Sequence, residues 1–135
     1  MTSVDEISHA ILAARADASV RIDAATLPIA DDQAYVVQGL GTAARIDRGE
    51  AVVGWKLGYT SAVMREQMGI DQPNFGPLTD AMVVPDGGLL PPARQPRAEP
   101  EVAIVCARDV TVPVDADSIL DHVDGAFLAI EIVDS

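Results

Sequence analysis

The sequence predicts an α+β protein in which helices come first and strands dominate after residue 51. Three observations predict it. Residues 4–16 and 32–47 carry apolar side chains at helical spacing. From "AVVGWKLGYT" onward the apolar pattern shifts to alternation and to short apolar runs. No strand–helix–strand alternation appears that would call for a parallel sheet.

The elements follow in order. Ser3-Val4-Asp5-Glu6 fits a capping box, and Val4, Ile7, Ile11 and Ala14 continue on one face, so a helix is expected over 4–16. "RIDAATLPIADD" reads as a connector. A second helix starts after Asp31 or Asp32 and runs to Asp47, with Gly49 placed to end it. In the strand at 51–60, Val53, Trp55 and Leu57 face one way and Val52, Gly54, Lys56 and Gly58 the other. "TSAVMREQMG" is expected to be a short helix capped by Thr60 or Ser61 and closed by Gly69. "IDQPNFGPLTD" reads as a structured loop, and "AMVVPDGGLLPP" as strand, turn, strand. A strand over 99–108, a short helix near 117–123 and a strand over 126–133 complete the chain. The expected organisation is a helical region over 1–50 and a β-rich core over 51–135. The last strand is so apolar that it asks for a neighbour on each side, so the domain is expected to be incomplete at Ser135.

Composition narrows the function. The 135 residues suit one domain, and 49% apolar residues supply a core. Nine basic against 21 acidic residues leave a net charge of −12, which argues against nucleic acid and against anionic membrane surfaces as partners. Cys106 is the one cysteine, so no disulfide forms within the chain, and its strand setting predicts a buried apolar residue. The acidic N-terminus lacks the pattern of a signal peptide and no apolar run approaches a membrane span, so a cytoplasmic location is expected.

Three carboxylates stand out. Glu99 and Glu101 are two apart in a strand and project to one face; Glu131 interrupts the apolar run "AFLAIEIVD". If the two strands are neighbours, all three converge, and an all-oxygen cluster suits Mg²⁺ or Mn²⁺. The alternative is a solvated strand end carrying Glu99 and Glu101, with Glu131 paired to an arginine. Lys56, flanked by Gly54 and Gly58, is either an acid–base group beside a ligand or an ordinary exposed lysine. His9 and His122 fall in expected helices and read as surface or packing residues.

Together "VVGWKLGYTSAVMREQMGIDQPNFGPLTDAM", "QPRAEPEVAIV" and "AIEIVDS" resemble the 2-keto-4-pentenoate hydratase group of the fumarylacetoacetate hydrolase superfamily. That group includes 2-oxohept-3-ene-1,7-dioate hydratase and the related 4-oxalocrotonate decarboxylase. The resemblance implies part of a mixed β-sandwich roll behind a helical N-terminal region. It implies Glu99, Glu101 and Glu131 as ligands of a divalent metal, Lys56 as the acid–base residue, and backbone around Leu57 lining the substrate carboxylate. Asn74 stands where hydratases of the group often carry Asp, so it is expected to orient substrate or water without taking a proton. The implied reaction adds water to a 2-hydroxy-2,4-dienoate, in equilibrium with its 2-oxo-enoate, to give a 4-hydroxy-2-oxoacid in aromatic-compound degradation. The alternatives are a decarboxylase of the 4-oxalocrotonate type at the same site, or an inactive interaction module. The resemblance also implies a homo-oligomer, which could associate with a paralogous decarboxylase. Because members of the group are about twice this length, the chain alone is expected to be poorly active.

Overall fold

The computed structural model describes residues 3–17, 19–23 and 26–134. It divides into two compact units, Met1–Leu90 and Pro91–Ser135.

The first unit opens with helix α1, Val4–Ala16, where the predicted capping box forms. The Glu6 amide donates to Ser3 Oγ at 3.2 Å and the Ser3 amide to Glu6 Oε2 at 2.7 Å, so two otherwise unpaired amides are satisfied. Helix α2, Asp31–Ile46, packs on α1. Ile7 and Val37, one from each helix, are the buried hydrophobic residues among those described. Past α2 the chain turns at Gly49, whose φ of +95° favours glycine.

Strand β1, Val52–Gly58, pairs antiparallel with β2, Asn74–Thr79, and helix α3, Ala62–Met68, lies between them in sequence. Ser61 caps α3 and Gly69 closes it in the left-handed region, as the sequence predicts. The α2–β1 corner is tied to the end of β2. The fully buried Thr79 donates from Oγ1 to Glu50 Oε2 at 2.6 Å, and Arg45 Nη1 donates to the same oxygen at 2.9 Å. These hydrogen bonds to the charged form hold the Glu50 carboxyl below its ordinary pKa. Asp80 adds a reciprocal pair: its amide donates to the Ala51 carbonyl, and its Oδ1 accepts from the Ala51 amide.

Two expectations are corrected here. Residues 74–79, expected as loop because of Gly76 and Pro77, form β2. An edge strand tolerates proline, and β1 supplies the hydrogen-bonding ladder that the local sequence cannot reveal. Residues 81–92, expected as strand, turn and strand, form no strand. Asp80–Met82 is a 3-10 turn, and only the turn at 85–88 survives, closed by the Gly88 amide on the Pro85 carbonyl at 2.8 Å. Strand formation needs a partner edge, and none faces this segment among the described residues.

In the second unit β3, Pro96–Cys106, pairs antiparallel with β4, Val123–Asp134; a 3-10 turn over Ser118–His122 leads into β4. The ribbon is anchored at one end by Asp134, whose carboxylate accepts from the Arg94 and Gln95 amides. Those two bonds hold its carboxyl below the usual range. Cys106 ends β3 and is exposed, not buried as expected. It sits where the ribbon register shifts, so the alternation that predicts its burial breaks at that residue.

The α+β class therefore holds, with helices leading and antiparallel ribbons following. No helix among the described residues is long and apolar enough to cross a membrane.

Candidate metal centre and lysine face

The β3–β4 register decides the fate of the three carboxylates. Glu99 faces Glu131 directly, and Glu101 faces Ala129. Strand alternation then puts Glu99, Glu101, Ala103 on one face with Phe127, Ala129, Glu131 and Val133. One carboxylate oxygen from each glutamate lies within 4.8 Å of the others; Glu101 and Glu131 are half-buried and Glu99 is exposed. Ligand oxygens around one ion lie roughly 2.0–2.6 Å from it, so oxygens up to about 4–5 Å apart can share it. The donor set is three carboxylates, all oxygen, which fits a hard divalent cation. The opposite face of the ribbon is apolar throughout its middle: Val102, Ile104, Leu128 and Ile130 are exposed there.

In the first unit the β1–β2 register builds a second cluster. Lys56 faces Gly76 and Gly58 faces Asn74. Lys56 is half-buried and has Gly54 and Gly58 on either side along its own face. Three glycines thus surround one long cation; the space beside Gly54 is open, while the Asn74 and Gln38 side chains lie over Gly58 and Gly76. Asn74 shares this face. Its amide lies so close over Gly58 that a Cβ there would overlap it, so any larger residue at 58 would displace the Asn74 side chain.

Leu57 points to the other face. It is exposed beside Trp55 and Phe75, where Phe75 also stacks on Tyr35 at 4.8 Å between centroids. The Leu57 side chain is therefore turned away from Lys56, and only its backbone can serve a ligand on the lysine face.

Two hydrogen-bonding side chains of the first unit were not singled out from sequence. Gln38 of α2 donates from Nε2 to the Phe75 carbonyl at 3.0 Å and lies against Gly76. Arg65 of α3 donates from Nη1 to the carbonyls of Tyr59 and Thr60. Gln38 reaches a residue 37 positions on, which no local spacing announces, and Arg65 reaches five and six positions back, past the spacing of a helical turn.

No protein-family model matches the chain. It is 40% identical over 107 residues to 2-keto-4-pentenoate hydratase of Paraburkholderia xenovorans (strain LB400), covering 77% of this chain and 40% of that one. It is 31% identical over 134 residues to 4-oxalocrotonate decarboxylase of Pseudomonas putida, covering 97% of this chain and 50% of the relative. Among solved structures, 4-oxalocrotonate decarboxylase from Pseudomonas putida G7, complexed with calcium and acetate, superposes with a TM-score of 0.84 at 24% identity. That match covers 100% of this chain and 55% of the other and shows the shared fold. The same enzyme complexed with magnesium and adipate gives a TM-score of 0.68 at 26% identity, over 80% and 42% of the two chains. The chain is similar to the 2-keto-4-pentenoate hydratases over about three quarters of its own length and spans about two fifths of the length of the hydratase it matches.

Proposed function

We propose that the chain carries the metal-binding and proton-handling residues of a hydratase that adds water to a 2-hydroxy-2,4-dienoate and releases a 4-hydroxy-2-oxoacid. The observation that carries this reading is the convergence of Glu99, Glu101 and Glu131, in a chain whose relatives are named for that activity.

Glu99, Glu101 and Glu131 would hold the ion, Mg²⁺ or Mn²⁺, through one oxygen each. A divalent cation there would supply Lewis-acid stabilisation of negative charge growing on the substrate's 2-oxygen. Calcium and magnesium in the two decarboxylase complexes support a divalent ion of this kind.

Hydration needs proton movement at four atoms. The 2-hydroxyl loses a proton and C5 gains one as the 2-oxo form appears; water then loses one as it adds at C4, and C3 gains one to give the 4-hydroxy-2-oxoacid. Lys56 is the candidate to carry these protons, since an amine can both accept and donate. Asn74 can hold a carboxylate or a water through its amide but cannot take a proton. Backbone at Leu57 lies between Lys56 and Gly58, so a substrate carboxylate held there would sit beside the lysine and the Asn74 amide.

The second reading is decarboxylation of a 2-oxo-hexenedioate by the same residues. The match to a decarboxylase over nearly the whole chain favours keeping it. Purified chain with Mg²⁺ separates the two. Loss of dienoate absorbance that requires Mg²⁺ and vanishes in Glu101→Ala supports the hydratase. CO₂ release from the dicarboxylate supports the decarboxylase. A chain with neither activity, and with no thermal shift in Mg²⁺ plus oxalate, would be an interaction module only.

A further inference from the structure

Between β1 and α3 the backbone reverses over Tyr59, Thr60 and Ser61. Tyr59 has a φ of +54°, the one positive value at a non-glycine among the described residues. A residue with a Cβ pays steric strain in that region, so something must hold it there. Arg65, one turn into α3, is placed to do so. Its Nη1 donates to the Tyr59 carbonyl at 2.9 Å and to the Thr60 carbonyl at 2.8 Å. Successive carbonyls can converge on one donor only when the peptide between them is turned. The guanidinium therefore selects the strained conformation.

The turn begins at Gly58, whose bare Cα lies beneath the Asn74 amide, and Lys56 is two residues back on the same face. Where β1 stops thus decides where Asn74 lies relative to Lys56. We infer that Arg65 is a positioning residue: by clamping the Tyr59–Thr60 carbonyls it sets the end of β1, and through it the relative placement of Lys56 and Asn74. The inference rests on the roles given above to those two residues. A tyrosine held by a cation makes a stiffer joint than a glycine, which could reach the same φ and leave it again.

The test is a set of two-dimensional ¹⁵N NMR spectra of the whole chain, following the Asn74 side-chain amide and the Lys56 and Gly58 backbone amides. Arg65→Met removes the donors and keeps a good helix former. It is expected to shift all three signals while those of the β3–β4 ribbon stay in place. Arg65→Lys, which still offers donors, should bring them back toward wild type. In a Tyr59→Gly background, where the strain is gone, Arg65→Met should move them less than half as far. Changes confined to residues 60–70 would overturn the inference and leave Arg65 as a brace of α3 alone. So would a chain that fails to fold as Arg65→Met in both backgrounds. The readout involves no turnover, so a failed hydratase assay would sink the proposed function without touching this result, and the reverse holds too.

Discussion

Glu99 and Glu131 stand directly opposite one another across the β3–β4 ribbon, two like-charged side chains at one register position with Glu101 beside them on the same face. Like charges directly opposite in an antiparallel pair cost stability on the order of 0.2–1 kcal/mol. Glu99→Gln should therefore raise the urea midpoint of the metal-free chain slightly and shrink the gain in melting temperature that Mg²⁺ brings. A fall in metal-free stability with the Mg²⁺ response intact would contradict the shared-ion reading.

Glu50 predicts an acid-sensitive joint. Hydrogen bonds from Thr79 and Arg45 lower its folded pKa. A lowered carboxyl pKa contributes stability that is fully present above the unfolded value, about 4.3, and is lost as pH falls through the folded one. Glu50→Gln should thus destabilise the first unit at pH 7, and the gap to wild type should narrow on acidification below about pH 4. Urea melts across that range check it; a constant gap would assign the cost to packing instead.

Asp134 makes the same kind of contribution in the second unit, since the Gln95 and Arg94 amides and the charge of Arg94 lower its pKa. Asp134→Ala should speed hydrogen exchange at the amides of residues 94 and 95 and fray the adjoining end of β3. In wild type the same fraying is expected as pH falls through the folded pKa of Asp134. Unaltered exchange at those two amides would show that the ribbon end is held by other contacts.

Gly58→Ala tests the approach of Asn74. The added methyl meets the amide end of a side chain that can rotate away, so the cost should sit near the low end of overpacking, about 1 kcal/mol. Gly88→Ala should cost more, because its Cβ would meet the Pro85 carbonyl at 2.8 Å. Chemical denaturation ranks the two, and the reverse order would mean that Asn74 is the more rigidly held.

Leu128 is 89% exposed on the apolar face of the β3–β4 ribbon. Leu128→Gln should leave stability within about 0.5 kcal/mol and reduce light scattering of concentrated chain. A large loss of stability would mean that this face is packed in solution.

Much of this was legible along the chain. The Ser3–Glu6 capping box, the Gly69 stop and the pairing-ready spacing of Glu99 and Glu101 are local chemistry: each needs only residues two to four positions apart. Hydrophobic period placed α1, α2, β1, β3 and β4 because a buried face repeats at the spacing of its own element. Residues 74–79 and 81–92 were misread for one reason. Whether an extended segment becomes a strand depends on a partner edge, and that edge is supplied by residues distant in sequence.

The sequence by itself therefore determined the class, the order of the elements and which side chains could bear charge on a common face. Tertiary structure alone decided that Glu99 meets Glu131, that Asn74 lies over Gly58, and that Arg65 closes on the Tyr59 turn. These are register and chain-reversal facts. A one-residue slip in pairing moves every side chain of a strand to its other face, and nothing in a strand's own alternation chooses the register.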